Sequence, residues 1–99
     1  MLGFHREILK EFEPIGRKAK IILYGSVAKG NYRLDSDIDL AIVTKDEKVK
    51  KNATQIANKI LAKYGKLVSL VFLSPEDLRK SKPFIKEVLK GKVIYSGRS

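Results

Sequence analysis

Apolar and polar positions along the chain switch between a helical and a strand period, and the switches divide it into elements. Phe4, Ile8, Leu9 and Phe12 recur at helical spacing and predict a first helix over residues 2–12, closed by Pro14 and Gly16. The compact apolar run Ile21-Ile22-Leu23-Tyr24 predicts a buried strand starting near residue 20, and Gly25-Ser26 ends it. A polar stretch over residues 30–36 reads as a loop into a second strand at 37–43, where Ile38 and Leu40-Ala41-Ile42-Val43 are apolar. Thr44 and Glu47 have the form of a capping box with Thr44 as N-cap. The helix it opens carries Val49, Ala53, Ile56, Ala57, Ile60, Leu61 and Tyr64 on one stripe and stops at Gly65.

Residues 67–73, rich in branched and aromatic side chains, predict a third strand. Ser74-Pro75 then starts a short helix to about residue 80, with serine as N-cap and proline in the first turn. Pro83 opens a further helix that turns Phe84, Ile85, Val88 and Leu89 inward before Gly91. Val93-Ile94-Tyr95 predicts a short fourth strand. No internal repeat or linker interrupts this order, so the expectation is one α/β (α+β) domain over residues 1–99, with a small mixed sheet of about four strands flanked by helices.

Composition narrows the function. A chain of 99 residues buries only about 60 to 65% of its unfolded surface and offers little area for a second substrate. There is no cysteine, which excludes disulfides and thiolate metal sites, and a single histidine, His5, which reads as a surface residue of the first helix. No apolar run has the length of a signal peptide or a membrane span, so a cytoplasmic protein without a membrane partner is expected. The net charge of +10 invites a nucleic-acid reading. The lysines are interspersed with acids, however, and no helix-turn-helix, RNA-binding signature or row of aromatics accompanies them. They read as a solvated surface that also attracts nucleotides or an acidic partner, and nucleic acid is not the expected primary partner.

The candidate chemistry lies at the ends of the first two strands. Gly25 permits unusual backbone angles and close approach of a ligand, and Ser26 is a suitable N-cap for a short following helix whose free N–H groups face an anion. In Asp37-Ile38-Asp39 the two carboxylates flank an isoleucine, so on a strand both project to one face. Carboxylates so placed repel one another unless a cation lies between them, and Mg²⁺ binds through one or two carboxylates plus substrate phosphates.

Gly25-Ser26, the ten residues 27–36, then Asp37-Ile38-Asp39, set in Leu-Tyr-Gly-Ser-Val-Ala-Lys-Gly and Ser-Asp-Ile-Asp-Leu, resembles the nucleotidyltransferase superfamily that includes DNA polymerase β. More narrowly, the chain is similar to the minimal nucleotidyltransferases, small prokaryotic proteins that are little more than the catalytic core. The resemblance implies that Gly25 and Ser26 hold the β- and γ-phosphates of a nucleoside triphosphate, ATP first among them. It implies that Asp37 and Asp39 are the catalytic carboxylates and bind the bridging Mg²⁺. Lys29 stands where the family often has arginine, and is either a point charge for phosphate or a solvated helix residue.

The implied reaction is transfer of a nucleoside monophosphate to a hydroxyl, with release of pyrophosphate. So short a chain would borrow its acceptor, and the resemblance points to a helical HEPN-type partner, in an antitoxin-like pairing, with a homodimer also open. The departure from the family pattern is the third carboxylate, expected on a strand beside the Asp pair, where this sequence offers Ser69. Asp35, Glu76 or Asp77 could replace it from a flanking loop, although each is also an ordinary turn or helix-start residue. Without a substitute, the alternative is a catalytically weakened nucleotide-binding module that acts by binding a HEPN-type toxin. Asp35 to Asp39 also imitates the start of a calcium-binding loop, but the sixth place, which needs glycine, is Leu40.

Overall fold

The computed structural model describes residues 3–25, 28, 30 and 37–97, with side chains from residue 6 onward. Helix α1 (Gly3–Leu9) leads through a 3₁₀ turn, Lys10–Phe12, into the short α2 (Glu13–Gly16). The helical path therefore continues past the expected stop. Pro14 falls in the first turn of α2, where its missing N–H is not needed, so it starts a segment instead of ending one.

Strand β1 (Lys20–Tyr24) is followed by β2 (Ile38–Val43), the long helix α3 (Glu47–Tyr64), β3 (Val68–Leu73), a 3₁₀ turn at Asp77–Arg79, α4 (Pro83–Leu89) and β4 (Lys92–Ser96). The strands form one mixed sheet in the order β3-β2-β1-β4. Strand β1 lies antiparallel to both β2 and β4, whereas β2 and β3 run parallel, joined by α3. The expected small mixed sheet of four strands is the sheet observed.

Two corrections concern helix starts. The N-cap of α3 is Asp46, whose Oδ1 accepts from the Lys48 N–H at 2.8 Å, and not Thr44. Thr44 is withheld because its own N–H donates to the Leu73 carbonyl at 2.8 Å, tying it to the end of the sheet. After Ser74 the chain makes a turn and the 3₁₀ segment at Asp77–Arg79, not a helix from Pro75.

The two faces of the sheet are covered unequally. Ile21, Leu23, Ile38, Leu40 and Ile42 pack against Ile8, Phe12, Ala53 and Ile60 from the helices of one layer, and this is the larger core. Ile22, Tyr24, Ala41 and Leu73 face Ile85 and Val88 of α4 on the other side. The fourth strand is fixed to the first layer by Tyr95, whose hydroxyl donates to the Leu9 carbonyl at 3.0 Å, and whose ring lies where a side chain on Gly16 would be. No helix among the described residues is long and apolar enough to cross a membrane.

Candidate active site

Strand alternation decides where the Asp pair points. Ile38, Leu40 and Ile42 enter the larger core, so Asp39, Ala41 and Val43 project to the face that carries α4. The start of β2 is held by the Ile38 N–H donating to the Leu67 carbonyl at 3.0 Å, and this fixes the residues on either side of Ile38. Asp37 is exposed immediately before the strand, and Asp39 is half-buried within it. Burial raises the Asp39 carboxyl above the usual 3.8, and the negative charge of Asp37 raises it further. A cation between the two carboxylates would relieve both penalties.

Gly25 completes this corner. It follows β1 directly with φ +78°, in the left-handed region that a side chain resists. A Cβ built on it would collide with Asp39 Oδ2. The absent side chain thus lets the backbone at Gly25 lie against the carboxylate. Beside it, Tyr24 pairs across the ladder with Asp39 and is only 8% exposed. Burial raises the tyrosine hydroxyl, and the Asp39 charge adds to that. The Phe84 ring of α4 meets the Tyr24 ring edge-on, with centroids 5.8 Å apart.

On the other side of Asp39, the parallel register places Ser69 as its partner. Val71 and Leu73, which alternate with Ser69, pack in the α4 layer, so the half-buried Ser69 faces the same side as the aspartate. Among the described residues no group of three or more His, Cys, Asp or Glu capable of holding a metal forms.

Two of the proposed substitute acids are committed elsewhere. Glu76 pairs with Lys45 at 2.8 Å. The Asp77 carboxylate accepts from the Ser74 N–H at 2.9 Å and pairs with Lys80 at 2.9 Å, and these partners bring it down to about 2. Both lie beyond the end of β3, roughly 15 Å of strand from Ser69. Asp35 lies outside the described residues, as do Ser26 and Lys29. The donor set that remains, the Asp39 carboxylate on β2 and the Asp37 carboxylate close enough before it for its charge to be felt there, is of the hard-oxygen kind that suits a divalent cation completing its shell with phosphate and water. Leu40 is fully buried in β2, which excludes the calcium-loop reading.

Residues 6–99 match the sequence profile of the family described as Polymerase beta, Nucleotidyltransferase. The chain belongs to that nucleotidyltransferase family. Over 83 residues it is 37% identical to a protein of Methanocaldococcus jannaschii that bears the provisional name protein adenylyltransferase, covering 81% of each chain. A second protein of that organism, with the same provisional name, is 35% identical over 72 residues, covering 64% of this chain and 73% of its own. The fold resembles a chain in a crystal structure of a toxin-antitoxin with AMP-PNP, with TM-score 0.59 and 22% identity, over 96% of this chain and 74% of that one.

In this nucleotidyltransferase a cavity of about 340 Å³ lined by Pro14, Ile15, Asn52, Ile56 and others opens on the larger-core side, away from the Asp pair. Sequence reasoning missed a feature nearer the site, the turn between α4 and β4, where Lys90, Gly91 and Lys92 share a cavity with Gly25. Its signal was a glycine flanked by lysines, which reads locally as a helix stop and no more.

Proposed function

We propose that the protein is an Mg²⁺-dependent adenylyltransferase that moves the nucleoside monophosphate of ATP to a hydroxyl on a partner protein. The observation that carries this reading is the corner formed by Gly25, Asp39 and Asp37, with the glycine packed against the Asp39 carboxylate and the Asp37 charge felt there. The provisional names of the two archaeal relatives support adenylate as the group and protein as the acceptor. The toxin-antitoxin likeness extends to the fold, and the helical HEPN-type partner remains part of the proposal.

In this reading Asp37 and Asp39 hold the metal, and the turn at Gly25-Ser26 presents backbone N–H groups and a hydroxyl to the β- and γ-phosphates. Lys29 adds charge to the same phosphates. Mg²⁺, when bound, neutralises charge on the phosphates and polarises the phosphorus under attack. The acceptor hydroxyl oxygen bonds to the α-phosphorus as its proton passes to solvent, the bond from that phosphorus to the oxygen shared with the β-phosphate breaks, and pyrophosphate leaves with that electron pair. The chain's own contribution is orientation, because β1 and β2 are hydrogen-bonded neighbours and hold the turn and carboxylates in one frame.

Ser69 favours a second reading. It occupies the place beside Asp39 where a third carboxylate would deprotonate the acceptor, and a serine neither binds a second metal well nor acts as a base. The second reading is a nucleotide-binding antitoxin that no longer transfers. Incubation with Mg²⁺, labelled ATP and a candidate helical partner separates the two. Transfer predicts a labelled partner that Asp37→Asn and Asp39→Asn each abolish. Metal-dependent ATP binding with no labelled acceptor would instead leave the binding module standing.

A further inference from the structure

The turn between α4 and β4 is pressed onto the end of β1. A Cβ on Gly91 would run into the Leu23 carbonyl oxygen and come within 2.9 Å of Tyr24 Cβ and 3.0 Å of Ile22 Cγ2. No other residue type fits there without moving the strand, so the glycine sets how closely the turn can approach. The approach brings the flanking lysines, Lys90 and Lys92, into one cavity with Gly25, and Lys92 pairs in the ladder with Leu23, a residue of the larger-core face, on the other side of the sheet from Asp39.

Between them lies a cavity of about 60 Å³, lined by Gly25, Ala28, Glu87, Lys90, Gly91 and Lys92. Pockets for whole small-molecule ligands run to about 300 Å³ or more, so this one suits a single tetrahedral group. Both lysines are exposed, and no ion pair among the described residues engages either of them. Glu87, the acid on the wall, is itself held by a contact and is half-buried. Gly25 therefore stands between two groups of unlike composition: the Asp39 carboxylate lies against one side of it, and two lysines with one glutamate line the cavity it shares.

We propose that Lys90 and Lys92 bind the outermost phosphate of the nucleoside triphosphate, which becomes one end of the pyrophosphate that leaves, across Gly25 from the carboxylates. This inference rests on the nucleotide-binding reading above and adds to it a polyphosphate subsite on a separate element of the fold. The arrangement suits a polyanion whose inner part would meet a metal held by Asp37 and Asp39 and whose outer end meets the lysines. A lysine ammonium is a compact charge with three donors and needs no planar partner, as the outer oxygens of a phosphate require.

The test is calorimetric titration with Mg²⁺ and three probes, a non-hydrolysable ATP analogue, pyrophosphate and AMP. The proteins are the wild type, Lys90→Ala, Lys92→Ala, the double variant and Lys82→Ala, which removes a lysine from the far end of α4. Each single change at the turn should weaken the triphosphate analogue and pyrophosphate by roughly tenfold, the loss of one charge-assisted hydrogen bond. AMP should change by less than about twofold, and Lys82→Ala should behave as wild type. The subsite is refuted if the double variant binds the analogue as tightly as wild type does. It is equally refuted if AMP weakens in step with the analogue, or if Lys82→Ala matches the turn variants, since either result marks a general charge effect. A wild type that binds no triphosphate with Mg²⁺ overturns the nucleotide-binding reading and this subsite with it, whereas wild-type binding that the turn lysines do not influence overturns the subsite alone.

Discussion

Replacing Gly25 by alanine tests the corner on which the site depends, and Gly65→Ala supplies the internal standard. The two glycines share a left-handed backbone, with φ +78° at Gly25 and +66° at Gly65. A methyl group costs each about 1 to 2 kcal/mol of strain there. At Gly65 a Cβ meets nothing within 4 Å, whereas at Gly25 it strikes the Asp39 carboxylate. Asp39 must then leave its rotamer, for about a further 1 kcal/mol, and with it the position from which it would hold a metal. Thermal denaturation without metal should show Gly65→Ala less stable by the strain alone and Gly25→Ala less stable by the sum. Titration with Mg²⁺ and an ATP analogue should then leave Gly65→Ala unchanged and weaken Gly25→Ala by roughly ten- to a hundredfold, as when the group that orients a metal ligand is lost. Equal losses of stability in the two variants, together with wild-type binding by Gly25→Ala, would refute the reasoning.

Ser69→Asp adds a carboxylate beside Asp39 at the spacing of adjacent strands, where like charges repel by about 1 to 3 kcal/mol. Its melting temperature should fall without metal and recover in Mg²⁺, and a variant indifferent to Mg²⁺ would place Ser69 away from the site. Asp39→Asn removes a carboxylate that burial and Asp37 both disfavour, so the metal-free variant should melt higher than wild type while losing the stabilisation that Mg²⁺ and ATP confer. A lower melting point without metal would count against that electrostatic account. Asp77 is held down to about 2 by the Ser74 N–H and Lys80, so it contributes stability above the usual 3.8 that is lost as pH falls toward 2. Denaturant midpoints should therefore show Asp77→Asn below wild type at neutral pH, with the gap closing at acid pH, and a gap that does not vary with pH would contradict this.

What the sequence made legible was local. The side-chain period of a strand is enough to turn Asp39 away from the core that takes Ile38 and Leu40, with Asp37 just before the strand, and four apolar residues before a glycine are enough to place the end of β1. The position of Ser69 beside Asp39 was expected from the family pattern, and its physical cause is the parallel register of β2 and β3 across the whole of α3. Where local signals competed, tertiary contacts decided. Thr44 and Asp46 both satisfy the cap chemistry, and the hydrogen bond from the Thr44 N–H to Leu73 leaves the cap to Asp46. Leu61 fits the apolar stripe of α3, yet it is 46% exposed because the stripe is wider than the layer beneath it. The lysines at 90 and 92 were illegible for a different reason. Their meaning depends on Gly91 lying against a strand that precedes it by some seventy residues.

The unequal covering of the sheet accounts for where the proposed chemistry would sit. On the larger-core side every inward residue of β2 is fully buried, which leaves no room for a charged group or its ligands. On the α4 side the cover is one seven-residue helix and a 3₁₀ turn, and the strand ends nearest the Gly25 corner remain open enough for Asp39 and Ser69 to stay half-buried. Partial burial is what a site for a metal-bound polyphosphate needs, because full exposure would let water screen the carboxylates and full burial would protonate them. The same short helix ends at the turn that brings Lys90 and Lys92 to the cavity shared with Gly25, so in the proposed reading one element would both leave the carboxylates accessible and supply the lysines for the far end of the polyphosphate. A chain that uses its second face in this way keeps little surface for an acceptor, which is the physical ground for proposing that the acceptor hydroxyl arrives on another protein.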